Sequence, residues 1–410
     1  MIDIVSSIAI KKDGQEHNIN FFGKIDDVNR AITLNYEIQG AGSILLDVAD
    51  IGGKRFALPV TSTSSQSYIA YGCYFSQQTL SFSSSGMGTL TGGFESLIKQ
   101  KSPNEQYNSA SFSFEGIEKI FPLVSFEVDA PDYDGPISIR RPAIPENRYR
   151  VSEDISGAVV SGFAGTPYSP CTEIHISQKK YIRLSFASHK TASELLIVLS
   201  RIKQYIEFLC SREIQLSSIS FSSKADPEYH LADVIVAPIL IPKTFTKPLA
   251  ENPFRHSEEV FFAGMHGWLE YYEKYSRVIT IWGKTIYNAS VSQEDIFIWR
   301  CQAFELLCTL TDEIKSDAYN SLAQDQANPN LRNYLAVVSS KYNIAKPFEE
   351  FFVDVKDVRD KMTHNNPRKT VTEEQVKNAY GLINHFLTAT ISELMGLECR
   401  LPAFFVTPKK

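Results

Sequence analysis

Residues 347–366 read PFEEFFVDVKDVRDKMTHNN. Placed on a helix at about 100° per residue, Phe348, Phe351, Phe352, Val355, Val358 and Met362 gather in one arc. Glu349, Glu350, Asp354, Lys356, Asp357, Asp360 and Lys361 fall outside it. That pattern predicts an amphipathic helix packed on a core. Arg359 interrupts it, in line with Phe352, Val355 and Met362. A guanidinium keeps its proton, so burying it unpaired is costly and something anionic should meet it. A side-chain carboxylate, Glu305 or Asp354, would make it a structural ion pair. A ligand phosphate would make it a site.

Thr363-His364-Asn365-Asn366-Pro367 reads as a breaker, because Asn favours turns and a residue before proline avoids the helical region. The helix is expected to end near Met362, leaving His364 free to fold back towards Arg359. In an unbroken helix the two positions would lie about 140° apart. The next helix is expected to open at Thr372 with a T-x-x-Q capping box to Gln375 and a Val371–Val376 staple. A fixed cation, a titratable imidazole and a helix N-terminus would then converge where an anion could bind.

Outward from this stretch, helical signals run from about His256 to the end of the chain. His256 to Tyr287 is aromatic and helical. Ser292 to about Lys315 is a long helix that Ser292 caps, with acidic residues in its first turn. It is apolar nearly all round, and Glu305 breaks that surface beside Ile298, Cys301 and Cys308. Asn328 to Tyr342 and Thr372 to Leu397 complete, with the Arg359 helix, an up-and-down four-helix bundle. Residues 1–185 read instead as strands and turns: Ile2 to Lys11, Ala31 to Ile38, Ile44 to Val48, Lys54 to Val60, further strands within Thr61 to Gly93, then Ile120 to Val128 and Ile137 to Arg141. A helix with a Leu195, Leu196, Leu199, Ile202, Ile206 and Leu209 stripe spans Thr191 to Cys210 and should pack on a sheet. Strands Ile214 to Ser222 and Ala232 to Leu240 follow. The expected class is α+β: a β-rich domain with one packed helix over 1–245, a helical connector over 246–290, and an all-α domain over 291–410.

The 410 residues carry a net charge of −6 and are 43% hydrophobic, which argues against broad non-specific nucleic-acid binding but leaves room for a local basic site. Cys73, Cys171, Cys210, Cys301, Cys308 and Cys399 are scattered without zinc-ligand spacing, so no metal is expected. No apolar run is long enough to span a bilayer and the N-terminal residues lack a signal-peptide core, making the cytosol the expected compartment. His256, His266 and His385 read as structural.

The spacing Arg359-Asp360-Lys361-Met362-Thr363-His364 resembles the R-x4–6-H motif of HEPN ribonucleases. Trp268-Leu-Glu-Tyr-Tyr-Glu-Lys, Gln302-Ala303-Phe304-Glu305-Leu306 and the leucine-rich helix running into Ile214-Gln-Leu-Ser-Ser-Ile-Ser-Phe are similar to the ApeA-type HEPN proteins of bacterial anti-phage defence. The similarity covers about Thr191 to Leu397. It implies an HEPN-like helical bundle, a metal-independent and cofactor-free endoribonuclease that cleaves RNA such as tRNA through its 2′-OH, and an abortive-infection role. It also implies a symmetric dimer, or a higher even oligomer, with two Arg/His pairs in one cleft, and a β-rich domain that senses a phage-derived trigger. Arg359 would stabilise phosphate charge and His364 would move protons, with Glu305 orienting the arginine. Asp360 follows the arginine as the family pattern expects, pointing outward on the helix. Asp360, Asn365, Asn366, Lys361 and Arg368 would contact RNA, and Lys369 could track its backbone. The competing reading is a non-catalytic dimeric binding protein whose β-rich domain holds a protein or glycan ligand.

Overall fold

A computed structural model of the chain describes residues 1–12, 15–37, 55–81, 87–121, 123, 127–129, 138–140, 147–167, 174–223, 231–237, 240, 257–287, 291–322, 326–342, 351–364 and 370–397. They separate into two compact units. The first is residues 1–148, 153–200 and 215–242; the second is 149–152, 201–214 and 243–410.

The first unit is antiparallel β-structure. β1 (Ile2–Lys12), β2 (Gln15–Asp26) and β3 (Ala31–Glu37) form a meander. β4 (Phe56–Ser62), β5 (Ser67–Ser81) and β6 (Met87–Gly93) form another. β3 pairs with β6, β6 with β5, β5 with β4 and β4 with β1, so six strands close into a barrel. Alternation drives the closure: Ile32, Leu34 and Tyr36 on β3, Leu58 and Val60 on β4 and Leu90 on β6 are all buried in one core with Ile4, Phe21 and Phe75. Residues two apart share a face, so each strand contributes one apolar side to the interior. Closure is thinnest at β1–β4, which shares only the Ile4↔Ser62 and Val5↔Thr61 rungs. Pro59 has no N–H to give there, and the Ser6 hydroxyl donates to its carbonyl at 2.7 Å. β6 fits against β5 because Gly92 is small: a Cβ there would lie 1.9 Å from Tyr74 O.

The same sheet extends from β5 beyond the barrel. β7 (Ser96–Lys99) pairs with it, followed in order by β15 (Leu231–Val236), β14 (Leu216–Ser222), β8 (Gln106–Phe114), β13 (Ile174–Thr191) and β12 (Ile155–Pro167). β9 (Glu127–Asp129) and β10 (Ser138–Arg140) make a separate pair. The strand expected from Ile120 to Val128 is interrupted. Gly116, at φ +85°, turns the chain into the short helix α1 (Ile117–Ile120), a left-handed step that glycine takes without a Cβ clash. The expected strand at Ile44 to Val48 and the prolines of 142–145 and 242–253 lie outside the described residues.

α2 (Ala192–Cys210) starts on a Thr191–Glu194 cap. Its first half belongs with the β-unit, as the sequence suggested, and its second half with the helical unit. Tyr205 donates to Phe261 O at 2.8 Å, and Trp268 Nε1 donates to Arg201 O at 2.9 Å. Both partners lie on or against α3 (Glu258–Tyr287), and the short β11 (Tyr149–Arg150) joins α3 through the Tyr149–Phe262 ring stack at 5.2 Å.

The remaining helices of the second unit are α4 (Gln293–Leu310), α5 (Asp312–Asn320), α6 (Leu331–Tyr342), α7 (Phe352–His364) and α8 (Glu373–Leu394). α4 is central and packs on α3, α6, α7 and α8, which accounts for its apolar circumference. Ser292 caps it by accepting from Asp295 N. The single helix expected to Lys315 breaks at Thr311, which is extended at φ −96°, ψ 102°. Thr311 Oγ1 donates to Leu307 O at 2.9 Å and so accepts from the Tyr275 hydroxyl at 3.0 Å. Tyr275 is itself the non-helical kink of α3. A threonine that bonds backbone this way favours helix ends over interiors.

The opening of α8 is as expected. Thr372 and Gln375 form the reciprocal capping box. Thr372→Ala removes one acceptor for an end N–H and is expected to lower stability by about 0.5–2 kcal/mol. Urea unfolding of the full chain checks this, and an unchanged midpoint would show the cap to be idle.

Candidate active site around Arg359

α7 brings Arg359 against α4. Phe352, Val355 and Val358 are buried within the unit, and Phe352 meets Phe386 of α8 edge-on at 5.4 Å. Of the apolar arc read from the sequence, Phe352, Val355 and Val358 are thus packed inside the helical unit, and Arg359 sits at their half-buried edge with 22% of its side chain exposed.

Two carboxylates hold the guanidinium. NH1 donates to Glu305 Oε1 and Oε2, both at 2.8 Å, and Nε donates to Asp360 Oδ1 at 3.2 Å. Among the described residues NH2 has no partner. Asp360 does not point away as helical spacing suggested: its side chain is 20% exposed and also takes Lys356 Nζ at 3.3 Å, the i, i+4 neighbour. The sequence left Glu305 and Asp354 as possible partners for Arg359. The structure selects Glu305 and gives Asp354 to Gln375 Nε2 at 2.8 Å.

Burial raises the Glu305 carboxyl above its ordinary value, although the Arg359 charge and hydrogen bonds pull it down. Desolvation prevails because Glu305 lies on α4 among Cys301 and Cys308, whose thiols are free, buried and pushed up first by burial and then by the Glu305 charge. This is the setting the sequence proposed for Glu305. On the other side Tyr380, its hydroxyl pushed up to about 12 by burial, donates to Met362 Sδ at 3.7 Å and stacks on Phe297 at 4.6 Å. Tyr380 and Lys356 escaped the sequence reading. Lys356 carried a signal in its four-residue spacing to Asp360; Tyr380 carried none.

The other predicted site residues stand apart from this cluster or beyond description. α7 continues through His364, two residues past the expected end, so the breaker does not act before it. The His364 side chain and residues Asn365, Asn366, Arg368 and Lys369 lie outside the described residues. Lys361 is half-buried on α7. His266 Nδ1 lies 2.7 Å from Val151 O, and burial lowers the His385 pKa. His256 is outside the described residues, and so are Cys171 and Cys399. Among the described residues no helix is long and apolar enough to cross a membrane.

Chemically, the cluster offers a guanidinium fixed on two edges with its third open, a geometry suited to one or two oxygens of a bound oxyanion. Comparison with known proteins adds an identity to the region before it. A family model described as ApeA N-terminal domain 1 matches residues 10–265. No curated protein and no solved structure matches the chain. The match takes in β2 to β15 and the end of β1, where the sequence offered only general β character. It overlaps the resemblance carried by residues 191–265 and stops inside α3, before the helices that carry Glu305 and Arg359. Since it spans more than half of the chain, the protein belongs to the ApeA-type anti-phage proteins.

Proposed function

We propose that this defence protein is a metal-independent HEPN-type endoribonuclease acting on RNA such as tRNA in the cytosol. RNA carries its own nucleophile in the 2′-OH beside the scissile phosphate, so the protein needs a group to move protons and a fixed cation for the charge that builds on phosphate oxygens. His364 takes the first role, since its reference pKa lies near working pH. Arg359 takes the second. The observation that carries the reading is the arginine's restraint: Glu305 and Asp360 hold NH1 and Nε at a half-buried edge, while NH2 has no partner among the described residues. A guanidinium oriented in advance costs less to organise around a phosphate. Attack by the 2′-OH would leave a 2′,3′-cyclic phosphate and a 5′-hydroxyl.

Because α7 is helical through His364, backbone positions 359 and 364 fall about 140° apart around its axis. That separation favours a site completed by a second copy of the chain, in a two-fold dimer or a higher even oligomer. Asn365, Asn366, Lys361 and Arg368 remain the proposed RNA contacts near it. The β-rich region over residues 1–245 is the proposed sensor of a phage-derived trigger, with 246–290 as connector and 291–410 as the catalytic domain.

The Glu305–Arg359 bond also favours a second reading, a non-catalytic binding protein in which that pair only ties α4 to α7. Purified protein incubated with total tRNA in EDTA, with and without phage lysate, separates the two. Cleavage is expected, and His364→Ala is expected to reduce it by about 10²–10⁴-fold without changing the oligomer seen by light scattering. Cleavage that survives this change, or that needs a divalent cation, would sink the mechanism.

A further inference from the structure

A groove of about 420 Å³ lies on the helical unit between α7 and the start of α6, lined by Gln326, Asn330, Arg332, Asn333, Val353 and Lys356 among others. That volume falls within the range of small-ligand pockets, roughly 300–1,000 Å³. Its two walls differ in chemistry. On the α6 side the backbone N–H of Asn330 donates to Asn333 Oδ1 at 3.0 Å, and Asn333 Nδ2 donates to Gln326 Oε1 at 3.4 Å. These bonds use up the amide oxygens of Asn333 and Gln326. The Gln326 and Asn330 amide nitrogens are left without partners among the described residues. Arg332 stands at the same edge, exposed and without an ion pair among the described residues. On the α7 side Val353 is 39% exposed and gives an apolar surface beside the Asp357 carboxylate. Lys356 lies one turn from Arg359, about 4.5 Å along the helix axis, and reaches Asp360, the carboxylate that holds Arg359.

We infer that this groove binds one nucleotide of RNA next to the phosphate at Arg359. Its phosphate would lie on Arg332 and Lys356, its base would rest against Val353, and amide N–H groups would face the acceptors of the base edge. The inference rests on the ribonuclease reading. Each part suits a nucleotide: cations take the phosphate oxygens, an apolar face takes the ring, and side-chain amides donate to base oxygens and ring nitrogens. Lys356 couples the groove to the reacting centre, because it also pairs with Asp360, the carboxylate that takes Arg359 Nε.

The test uses the full chain and a short RNA in which 2′-deoxy positions block cleavage, so neither a trigger nor catalysis is needed. Fluorescence anisotropy is measured across a salt series. Arg332→Glu is expected to weaken binding by about tenfold and to reduce the salt slope by about one ion. Gln326→Ala is expected to weaken binding to some base sequences more than others. Both side chains are exposed, so the unfolding midpoint should not move. Arg277→Glu, the same charge reversal at an exposed position on α3 outside the groove, is the control. Equal weakening by Arg332→Glu and Arg277→Glu would overturn the inference, and so would unchanged binding in both groove variants. If the groove variants bind as wild type while the unblocked RNA is cleaved in an Arg359-dependent way, the nucleotide subsite falls and the ribonuclease stands. If wild type binds the blocked RNA through Arg332 but never cleaves the unblocked one, with phage lysate as without it, the ribonuclease reading falls and the groove is a nucleotide site of another kind.

Discussion

Replacing Arg359 with alanine is expected to lower RNA cleavage by at least about 100-fold, the loss typical when a single preorganised donor to developing negative charge is removed. Arg359→Lys is expected to rescue little. An ammonium could reach Glu305 or Asp360, but it cannot keep NH1 on one carboxylate, Nε on the other and a third edge for substrate. The same change should also loosen the fold. Glu305 is 27% exposed and already shifted towards its neutral form by burial, and without the guanidinium it keeps that burial and loses both hydrogen bonds. A stability loss of about 1–3 kcal/mol is expected. Cleavage rates and thermal unfolding measured on one preparation separate the two effects, since a loss of that size leaves a folded chain in which 100-fold inactivity must come from the site. Near wild-type cleavage by a folded Arg359→Ala chain would return the arginine to the role of an ion pair between α4 and α7.

The largest effect on stability is expected from Trp268→Ala, at about 3–5 kcal/mol. Trp268 is fully buried on α3. Its ring lies 5.4 Å from Phe208, 5.9 Å from Tyr271 and 6.1 Å from Tyr205, and its indole N–H donates to Arg201 O. Alanine leaves a cavity between these three rings and removes the indole hydrogen bond to Arg201 O. Trp268→Phe keeps most of the volume and should cost less, about 1–2 kcal/mol with the hydrogen bond gone. With two compact units the unfolding need not be a single transition, so the midpoint of the transition reporting the helical unit is the quantity to follow. A shift corresponding to less than about 1 kcal/mol for the alanine variant would mean that α2 and α3 are not joined through this residue.

Much of the helical unit was legible in the chain. The 3.6-residue stripes at Leu195 to Leu209 and Phe352 to Met362 became buried faces, and the Ser292 and Thr372 caps formed where short-range hydrogen-bonding rules placed them. The candidate site was legible as a list of residues, with Arg359 marked by being a cation in an apolar arc. Less legible were features set by partners distant in sequence. Nothing local says that β1 meets β4 or that β6 bridges β3 and β5 to close a barrel. Nor does anything local say that α2 divides between two units, or that the Thr311 hydroxyl would meet Tyr275 and end a helix five residues early.

By itself, the sequence determined the helix starts at the Ser292 and Thr372 caps, many of the inward-facing residues, and that Arg359 would need an anion, because each depends on neighbours within one or two turns and on the cost of burying charge. Only the tertiary structure decided that the anion is Glu305 and not Asp354, that Asp360 turns in to share the guanidinium, and that α7 runs on through His364. Those outcomes depend on which helices come to lie side by side, and competition between carboxylates for one guanidinium is settled by distances that exist only once the helices are packed.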